Sequence, residues 1–352
     1  MKAGVTILIC TYNGALRLPV TLRYIAAQQV PASIACELIV VDNASTDQSA
    51  TIINNEWKQY NTGIELRVIT ELRPGLTYAR ETGFARAQYN YIILCDDDNW
   101  LAPDYVHKAF TGMEQHSHIG ILGGNGRFVY EIPAPGWLLA CNLYAGGPQA
   151  RQSGSMSDDC VYGAGAVLRK TAYEDICARG FVSALPDRQG HQLSSGGDYE
   201  LCYALALAGY SIWYDASMHF DHFITANRLT LPYYLTYIEE SADCFSVLEP
   251  YKILLKTEKA SPLLFRWELL KSFWYHFKKL GALFFRMAFT ANRPDNRILH
   301  KLQYMILKQR LRSYRQFALM ESNFSKAVNL HKKLSRLSTL HPLPGNQKHV
   351  SR

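Results

Sequence analysis

The sequence predicts an α/β fold built on a mostly parallel, doubly wound sheet, and three observations support this prediction. Short apolar runs rich in Ile and Val alternate with helical segments over the first 125 residues. These runs are apolar almost throughout, as expected for strands covered on both faces. Polar residues follow three of the runs, at the strand ends where ligands bind in open parallel sheets.

The predicted strands and helices alternate at short spacing. The strands cover Val5 to Cys10, Glu37 to Val41, Ile64 to Ile69, Tyr91 to Cys95 and Ile119 to Gly123. The helices cover Pro19 to Gln29, Gln48 to Tyr60 (with Ser45 as a candidate cap), Thr77 to Ala87 and Pro103 to Gln115. Further on, the composition of residues 126–160 predicts long loops, and regular structure resumes at Val161 to Leu168. A helix from Asp198 to Ala208 is then followed by a short strand, Ser211 to Tyr214.

Composition divides the chain into an acidic body and a basic tail. The 352 residues are 48% apolar and 19% charged, enough for one large domain or two ordinary ones. Residues 250–352 contain 21 Lys and Arg but only 4 Asp and Glu, whereas residues 1–249 carry a net charge of −10. We therefore predict a folded domain over residues 1–249 and a basic helical tail over residues 250–352 that contacts an anionic surface.

The sequence argues against several classes of protein. No apolar run approaches the roughly 20 residues of a membrane-spanning helix, and the N-terminus lacks a signal-peptide pattern, so we expect a cytoplasmic location. Eight widely spaced cysteines without a C-x-x-C pair indicate reduced core thiols. The P-loop motif is absent, and Gly163-Ala164-Gly165 lacks the rest of a dinucleotide fingerprint. Binding of a nucleotide through carboxylates and a metal ion is still compatible with the sequence.

Asp96-Asp97-Asp98 is the most distinctive chemical feature, and it directly follows a predicted strand. Three adjacent carboxylates repel one another unless water or a cation neutralises them. In an extended segment Asp96 and Asp98 share a face, so they can point at one divalent ion, or at one ion and a ribose. A solvated acidic turn that caps the next helix is the alternative.

Five segments together resemble the family 2 glycosyltransferases, whose fold is called GT-A. The segments are Val5 to Asn13, Glu37 to Asp47, Pro74 to Arg80, Asp96 to Asp98 and Gly197 to Leu201. They occur in the family's order, and the resemblance covers about residues 4–235. It implies a GT-A fold and an inverting transfer of a sugar from a nucleotide-diphosphate donor to a hydroxyl acceptor, with Mn²⁺ or Mg²⁺ as the cofactor.

The resemblance also assigns residues to the nucleotide-sugar site. Thr11, Tyr12 and Asn13 would line the nucleotide pocket. Asp42 would accept a hydrogen bond from the base, and Arg80 would approach the donor. The alternatives are an Asx turn at Asp42 and a solvated surface position for Arg80.

A metal site is expected beside the donor. By the same resemblance Asp96 would contact the ribose and Asp98 the metal, while Asp97 belongs to the same site because a run of three carboxylates permits a shift of one position. His222, shortly before an Arg-Leu-Thr segment, resembles the histidine that completes the metal or diphosphate site. An ordinary core or surface histidine is the alternative for His222 and for His219.

Asp198 is the candidate catalytic base. An inverting transfer removes the proton of the acceptor hydroxyl while the leaving diphosphate is neutralised on the opposite side. Because Asp198 opens a predicted helix, helix capping is its alternative role. The family often has an acidic residue directly before the base, where this sequence has Gly197. That departure leaves the role of a paired carboxylate open and makes Glu200 the second candidate base.

The basic tail resembles no family, and we expect an amphipathic helix from Leu264 to Phe289. Five of its six charged residues fall within about 100° of arc; they are Glu268, Lys271, Lys278, Lys279 and Arg286. Aromatic and aliphatic residues occupy much of the remainder, a pattern typical of attachment to anionic lipid. The alternative is a helix packed on the first domain, and no module specific for nucleic acid accompanies the charge.

These observations predict a transferase of polysaccharide or other cell-surface glycan assembly, peripheral at the inner face of the cell membrane. Its acceptor would be a glycan or a lipid-linked molecule. A nucleotidyltransferase, which would release pyrophosphate, is one alternative. A non-catalytic, membrane-associated scaffold that binds a nucleotide without turnover is the other.

Overall fold

A computed structural model describes residues 2–141, 144–158, 160–190, 192–290 and 294–338. The strands are β1 (Lys2–Thr11), β2 (Cys36–Asn43), β3 (Glu65–Glu71), β4 (Tyr89–Asp96), β5 (Asn99–Leu101), β6 (Ile119–Tyr130), β7 (Gly154–Ser155), β8 (Val167–Arg169) and β9 (Ser211–Ile224). The helices that begin within the first 250 residues are α1 (Leu18–Ala26), α2 (Ser49–Trp57), α3 (Leu76–Arg86), α4 (Tyr105–Gln115), α5 (Gly136–Leu139), α6 (Lys170–Ala178), α7 (Gly197–Leu207), α8 (Leu231–Glu240) and α9 (Cys244–Thr257). Three longer helices follow: α10 (Pro262–Thr290), α11 (Pro294–Ser313) and α12 (Phe317–Ser338).

The strands form one mixed sheet in the order β3-β2-β1-β4-β8-β6-β9-β5, with β7 beside β9. The long ladders are parallel and join β1 to β2 and β4, β2 to β3, and β6 to β9. The antiparallel ladders are short and involve β5, β7 and β8. The predicted, mostly parallel sheet flanked by helices is therefore confirmed.

Helices cover both faces of the sheet, which explains why its strands are apolar throughout. Ile7 and Ile9 of β1 are buried on one face, in a cluster with Leu22 of α1. Leu8 is buried on the other face, in a cluster with Phe84 of α3. A strand buried on both sides has no solvent face on which to place polar residues, so they collect at its end.

The predicted elements of the first 125 residues are all present, and three details differ from the prediction, one within this segment and two further along. Strand β9 continues ten residues beyond the predicted Tyr214, because it pairs along β6 as far as Ile224. Only residues from Val167 onward form a strand in the segment predicted from Val161. Ser45 does not cap α2, since the cap position is Gln48 and the Ser45 hydroxyl instead accepts a hydrogen bond from the Asn13 N–H at 3.0 Å.

The helices after residue 250 pack on the first part of the chain. One apolar cluster contains Leu205 of α7, Leu248 of α9, Phe265 of α10 and Phe324 of α12 together with residues of the sheet. Helix α9 runs through position 249, so no helix ends where the sequence predicts a division between two domains. That division stays a prediction. Among the described residues, no helix combines the length and the apolarity that crossing a membrane would require.

Candidate functional site

A cavity of about 480 Å³ lies at the carboxyl ends of β1, β2 and β4. Eight of the residues selected from the sequence line it; they are Thr11, Tyr12, Arg80, Asp96, Asp97, Asp98, Asp198 and His222. These side chains come from segments up to 211 residues apart in the chain, between Thr11 and His222. The parallel sheet brings them together because its strands end at one edge.

Asn13 and Asp42 lie beside this cavity and hold two of its loops together. The Asn13 side-chain oxygen accepts hydrogen bonds from the backbone N–H groups of Thr46 at 2.8 Å and Asp47 at 3.3 Å. The Asp42 carboxylate accepts one from the Ser45 N–H at 3.2 Å, which is the Asx turn considered above. The loops after β1 and β2 are thus fixed to each other at the mouth of the site.

Asp97 is bound on several sides. Arg17 donates to both of its carboxylate oxygens at 2.8 Å, and the Thr11 hydroxyl donates at 2.6 Å. The Thr21 hydroxyl donates to its backbone oxygen at 2.7 Å. Such a bidentate pair fixes an arginine and a carboxylate in one plane, so Asp97 orders the turn that carries its two neighbours.

Asp98 lies against β9 and the turn that follows it. Arg228 donates to one of its oxygens at 2.7 Å, and the His222 Nε2 lies 3.6 Å from the other. Burial alone would raise the pKa of Asp98, but the positive charges of Arg228, Arg17 and Arg188 lower it below the ordinary value. The carboxylate is therefore ionised at neutral pH.

The hydrogen bonds of His222 determine which of its ring nitrogens carries the proton. Its Nδ1 lies 2.8 Å from the Ala145 carbonyl oxygen, which can only accept, so Nδ1 donates. Burial lowers the pKa of His222 despite the attraction of Asp98, and the ring is neutral at pH 7. The bare Nε2 lone pair consequently faces a carboxylate oxygen.

Asp96 contrasts with its two neighbours. Among the described residues, no side chain or backbone group forms a hydrogen bond or ion pair with its carboxylate. Burial raises the pKa of Asp96 to about 7, and repulsion from Asp98, Asp198 and Asp97 adds to the effect, although Arg80 opposes it. A buried carboxylate beside another carboxylate is stabilised by a cation.

The side chains of Asp96, Asp98 and His222 supply some of the ligands that a divalent ion needs. In metal sites, a histidine ligand usually donates its second ring N–H to a carbonyl or carboxylate, as His222 does. Two carboxylates suit Mn²⁺ or Mg²⁺, whereas an imidazole nitrogen suits a transition metal such as Mn²⁺ better than Mg²⁺. Within the described part of the chain, however, no three His, Cys, Asp or Glu side chains form a group able to hold a metal ion by themselves. Further ligands would have to come from the substrate.

Asp198 is the second residue of α7, and its carboxylate points into the cavity. Arg80 donates to one oxygen at 2.5 Å, and the Gly163 N–H donates to the other at 3.0 Å. The helix is capped by Gly196, so capping is not the role of the Asp198 side chain. A Cβ atom at position 163 would lie 2.3 Å from an Asp198 oxygen, which explains the glycine there.

Residues 6–177 match the model of a protein family described as "Glycosyl transferase family 2". This segment is a family 2 glycosyltransferase domain. The resemblance carried by the five sequence segments is therefore confirmed.

Proteins similar to this chain include named glycosyltransferases. An "Uncharacterized glycosyltransferase" of Haemophilus influenzae is 36% identical over 92 residues, which cover 26% of this chain and 36% of that protein. The poly-β-1,6-N-acetyl-D-glucosamine synthase of Staphylococcus epidermidis is 22% identical over 175 residues, which cover 49% of this chain and 41% of that protein. The matched segments thus span less than half the length of either relative.

A solved structure shows the same fold. The mannosyltransferase of Pyrobaculum calidifontis, in complex with GDP-Man and Mn²⁺, has a TM-score of 0.53 and 17% identity, covering 92% of this chain and 85% of that chain. The glycosyltransferase domain described here therefore has the predicted GT-A fold.

Glu200, the second candidate base, lies outside the cavity of the transferase domain. Its buried carboxylate accepts hydrogen bonds from the Ser183 hydroxyl at 2.9 Å and from the N–H groups of Ala184 and Leu185 at 3.0 to 3.2 Å. It orders the loop before α7. His219 likewise does not line the cavity, in contrast to His222.

Sequence reasoning missed Asp187, which lies in the loop before α7 and lines the cavity of the transferase domain. Its oxygens accept hydrogen bonds from Arg80 at 3.3 Å and from the Gly197 N–H at 2.7 Å. The loop has no periodicity to place it, so the sequence carried one signal only. That signal was the absence of the family's acidic residue at position 197.

Proposed function

We propose that the chain is an inverting, metal-dependent glycosyltransferase that moves a sugar from a nucleotide-diphosphate donor to a hydroxyl acceptor. The observation that carries the proposal is the meeting of two groups of carboxylates in one cavity. Asp96 and Asp98 enter it from the end of β4, and Asp198 enters it from the first turn of α7. The family 2 domain and the names of the similar proteins support the same reaction.

Asp198 would be the general base on the acceptor side. Its side chain is 29% exposed, so an acceptor hydroxyl can reach it from the cavity. One oxygen is held by the Gly163 N–H and the other by Arg80, which fixes the direction in which the carboxylate accepts a proton. Glu200 is fully hydrogen-bonded elsewhere, which favours Asp198 over it.

The donor side would be formed by Asp96, Asp98 and His222. Asp98 and His222 would hold Mn²⁺ or Mg²⁺ with Asp96 nearby, and the ion, when bound, would neutralise charge on the leaving diphosphate. Asp96 would contact the ribose, as the family resemblance implies. Arg228 is ion-paired to Asp98 and lies in the same wall, so it adds positive charge where the diphosphate would lie.

The nucleotide would lie against the loops after β1 and β2. Thr11 and Tyr12 line the cavity there, and Asn13 fixes the two loops to each other. The Asp42 oxygen that is not bound to Ser45 makes no hydrogen bond among the described residues, so it is available to the base. Arg80 would approach the donor from α3.

We also propose that the C-terminal helices place the cavity at an anionic membrane surface, where a lipid-linked or glycan acceptor is assembled. Helix α10 exposes an apolar stripe at successive spacings of four, three, four, three and seven residues; its members are Leu263, Trp267, Leu270, Trp274, Phe277 and Phe284. Each of these side chains is about half exposed or more. Beside the stripe lie Lys271 and Lys278, and the helix carries five Lys and Arg but one Glu.

The charge beside the stripe selects the kind of surface. Aromatic residues flanked by lysines suit the boundary between lipid headgroups and acyl chains, where rings are buried and ammonium groups contact phosphate. Lys271 lies over the Trp267 ring at 5.4 Å, so the two are already arranged side by side. The net charge of +17 after residue 249 acts in the same direction.

The reaction is tested by incubating the full chain with a panel of nucleotide sugars and Mn²⁺ or Mg²⁺, with and without glycan and lipid-linked acceptors. We expect metal-dependent release of a nucleoside diphosphate from at least one donor, faster with an acceptor present. In a parallel incubation with nucleoside triphosphates and a sugar 1-phosphate, release of pyrophosphate would instead indicate a nucleotidyltransferase. Nucleotide binding without turnover on any donor would indicate the scaffold.

A further inference from the structure

Asp187 occupies the space that a side chain at position 197 would fill. A Cβ atom built on Gly197 would lie 2.3 Å from one Asp187 oxygen and 2.8 Å from its carboxyl carbon. The Gly197 N–H donates to the other oxygen at 2.7 Å. The glycine before Asp198 is therefore required by the carboxylate of Asp187, which is buried and reaches the first turn of α7 from the preceding loop.

Arg80 connects Asp187 to Asp198. One of its nitrogens lies 3.3 Å from an Asp187 oxygen and 2.5 Å from an Asp198 oxygen. Burial alone would lower the pKa of Arg80, but Asp198, Asp187 and Asp96 raise it, so the guanidinium stays charged. A single positive charge is thus shared between two carboxylates.

Sharing this charge determines how firmly Arg80 is held beside Asp198. An ion pair with one carboxylate holds a guanidinium from one side, whereas two carboxylates hold it from both. Burial raises the pKa of Asp187 to about 6, and repulsion from Asp198 adds to this, as expected for two carboxylates around one guanidinium.

We infer that Asp187 is a positioning residue for the general base: it holds Arg80 and the first turn of α7 so that the Asp198 carboxylate faces the acceptor. It supplies from the loop the second carboxylate that the residue before Asp198 does not provide. The inference rests on the proposed role of Asp198.

Several charged or titratable groups surround Asp198. Arg80 faces it from α3, Asp96 from β4 and Asp187 from the loop. Burial raises the pKa of the nearby Cys160 and Tyr199, so both are neutral at pH 7. Without the Asp187 carboxylate, Arg80 keeps its ion pair with Asp198 but is no longer held from the side of the loop.

The test measures kcat and the donor KM for Asp187→Asn in the full chain. Asparagine tolerates the φ of +53° found at this position. We expect kcat to fall by about 10- to 100-fold with little change in donor KM. A matched control is Asp175→Asn, which breaks a carboxylate–arginine pair outside the cavity and should leave kcat and donor KM unchanged.

Moving the carboxylate from position 187 to position 197 separates an effect on the position of Asp198 from an effect on folding. Asp187→Gly removes the carboxylate at a position where glycine accepts the backbone conformation. Combining it with Gly197→Asp returns a carboxylate to the vacated space, so the double variant should recover part of the lost kcat. Failure to recover kcat in a double variant that melts like the wild type would overturn the inference.

The outcomes also distinguish this inference from the proposed function. If Asp198→Asn abolishes turnover but Asp187→Asn keeps the wild-type kcat, Asp198 is the base and Asp187 has no part in positioning it. A raised donor KM with unchanged kcat would place Asp187 on the donor side instead. If Asp198→Asn retains full activity, the proposed base itself is wrong.

Discussion

The edge of the sheet and the surface of α10 use their side chains in opposite ways. At the edge, most charged groups are buried and bound to named partners, as Asp97 is to Arg17 and Asp98 to Arg228. On α10, large apolar side chains such as Trp267 and Trp274 are half exposed. Crowding the Asp96 carboxylate against its acidic neighbours and exposing aromatic rings both cost free energy, so each region points to a partner that the described residues do not supply.

The two regions should also respond differently to mutation. Each group at the edge contacts others that depend on it, so one changed atom should alter turnover by orders of magnitude. The stripe on α10 acts through summed area and charge, so single changes there should have small effects and several changes a moderate one. Four predictions test this difference, and the largest expected effect comes first.

Asp98→Asn should reduce turnover by about 10³-fold or more, since an amide is a poor ligand for a hard cation. It also leaves Arg228 buried without its ionic partner, and breaking such a pair costs about 3 kcal/mol of stability. Turnover should be measured at saturating Mn²⁺ and Mg²⁺, alongside a melting curve.

The matched control adds Arg228→Met to Asp98→Asn. Removing the unpaired charge should restore part of the melting temperature without restoring turnover. A near wild-type rate in Asp98→Asn at saturating metal would show that Asp98 is not a metal ligand.

Asp198→Asn should lower kcat by roughly 10² to 10⁴ while leaving nucleotide binding unchanged, because a general base acts on the acceptor side. Calorimetry with a nucleoside diphosphate checks the binding. Glu200→Gln is the control, since it removes a neighbouring carboxylate that bonds only to Ser183 and the loop backbone. It should destabilise the protein but keep the rate per folded molecule. Loss of nucleotide binding in a folded Asp198→Asn would move this residue to the donor side.

The sequence was sufficient to predict the alternating strands, the sheet edge and the carboxylates there, because these follow from periodicity and from local motifs. It did not show how the contacts of Asp97 differ from those of Asp98, since three identical adjacent residues differ only in the side chains that reach them from other segments. Asp97 meets Arg17 and Asp98 meets Arg228, 130 residues away. Asp187 was missed for the same reason: its position depends on a close approach to Gly197 that no short pattern records.

The C-terminal helices show the same limit in another form. The charged face of α10 followed from a helical wheel, and its bounds, Pro262–Thr290, contain the predicted Leu264 to Phe289. Sequence alone did not show that the apolar residues divide into two groups. Phe265, Leu269 and Leu283 are buried against other helices, whereas Trp267, Trp274 and their neighbours face outward. Only packing decides which apolar residues are left uncovered.

Gly163→Ala should lower kcat by about 10- to 100-fold, a smaller effect than loss of the base itself. The added methyl group would lie within 2.4 Å of all three atoms of the Asp198 carboxyl group, so that group must turn away from its place beside the Gly163 N–H. Steady-state kinetics at saturating donor and acceptor provide the measurement. A comparison with Gly63→Ala, where the methyl group meets nothing within 4 Å, controls for the loss of a glycine. Equal rates for both variants would mean that the geometry around Asp198 does not limit turnover.

The smallest single-site effects are expected on α10, and the full chain is needed to measure them. Removing residues after Glu249 would also remove Phe265 and Phe324, which belong to the main apolar core, so truncation would confuse binding with folding. Co-sedimentation with vesicles of varied anionic content is the appropriate measurement. The triple variant Trp267→Ser, Trp274→Ser and Phe277→Ser should bind at least about tenfold more weakly, whereas each single variant should lose less.

Charge and apolar area on α10 can be separated by their response to salt. Replacing Lys271, Lys278 and Lys279 by glutamine should remove the preference for anionic vesicles, and salt should weaken wild-type binding because exposed charges are screened over about 8 to 10 Å. Val182→Ser, an exposed apolar side chain outside α10, is the control and should bind like the wild type. Binding indifferent to anionic lipid would contradict the membrane proposal. A dimer in sedimentation velocity that the triple variant dissociates would instead assign the stripe to a second copy of the chain, because the same rings cannot be buried in both.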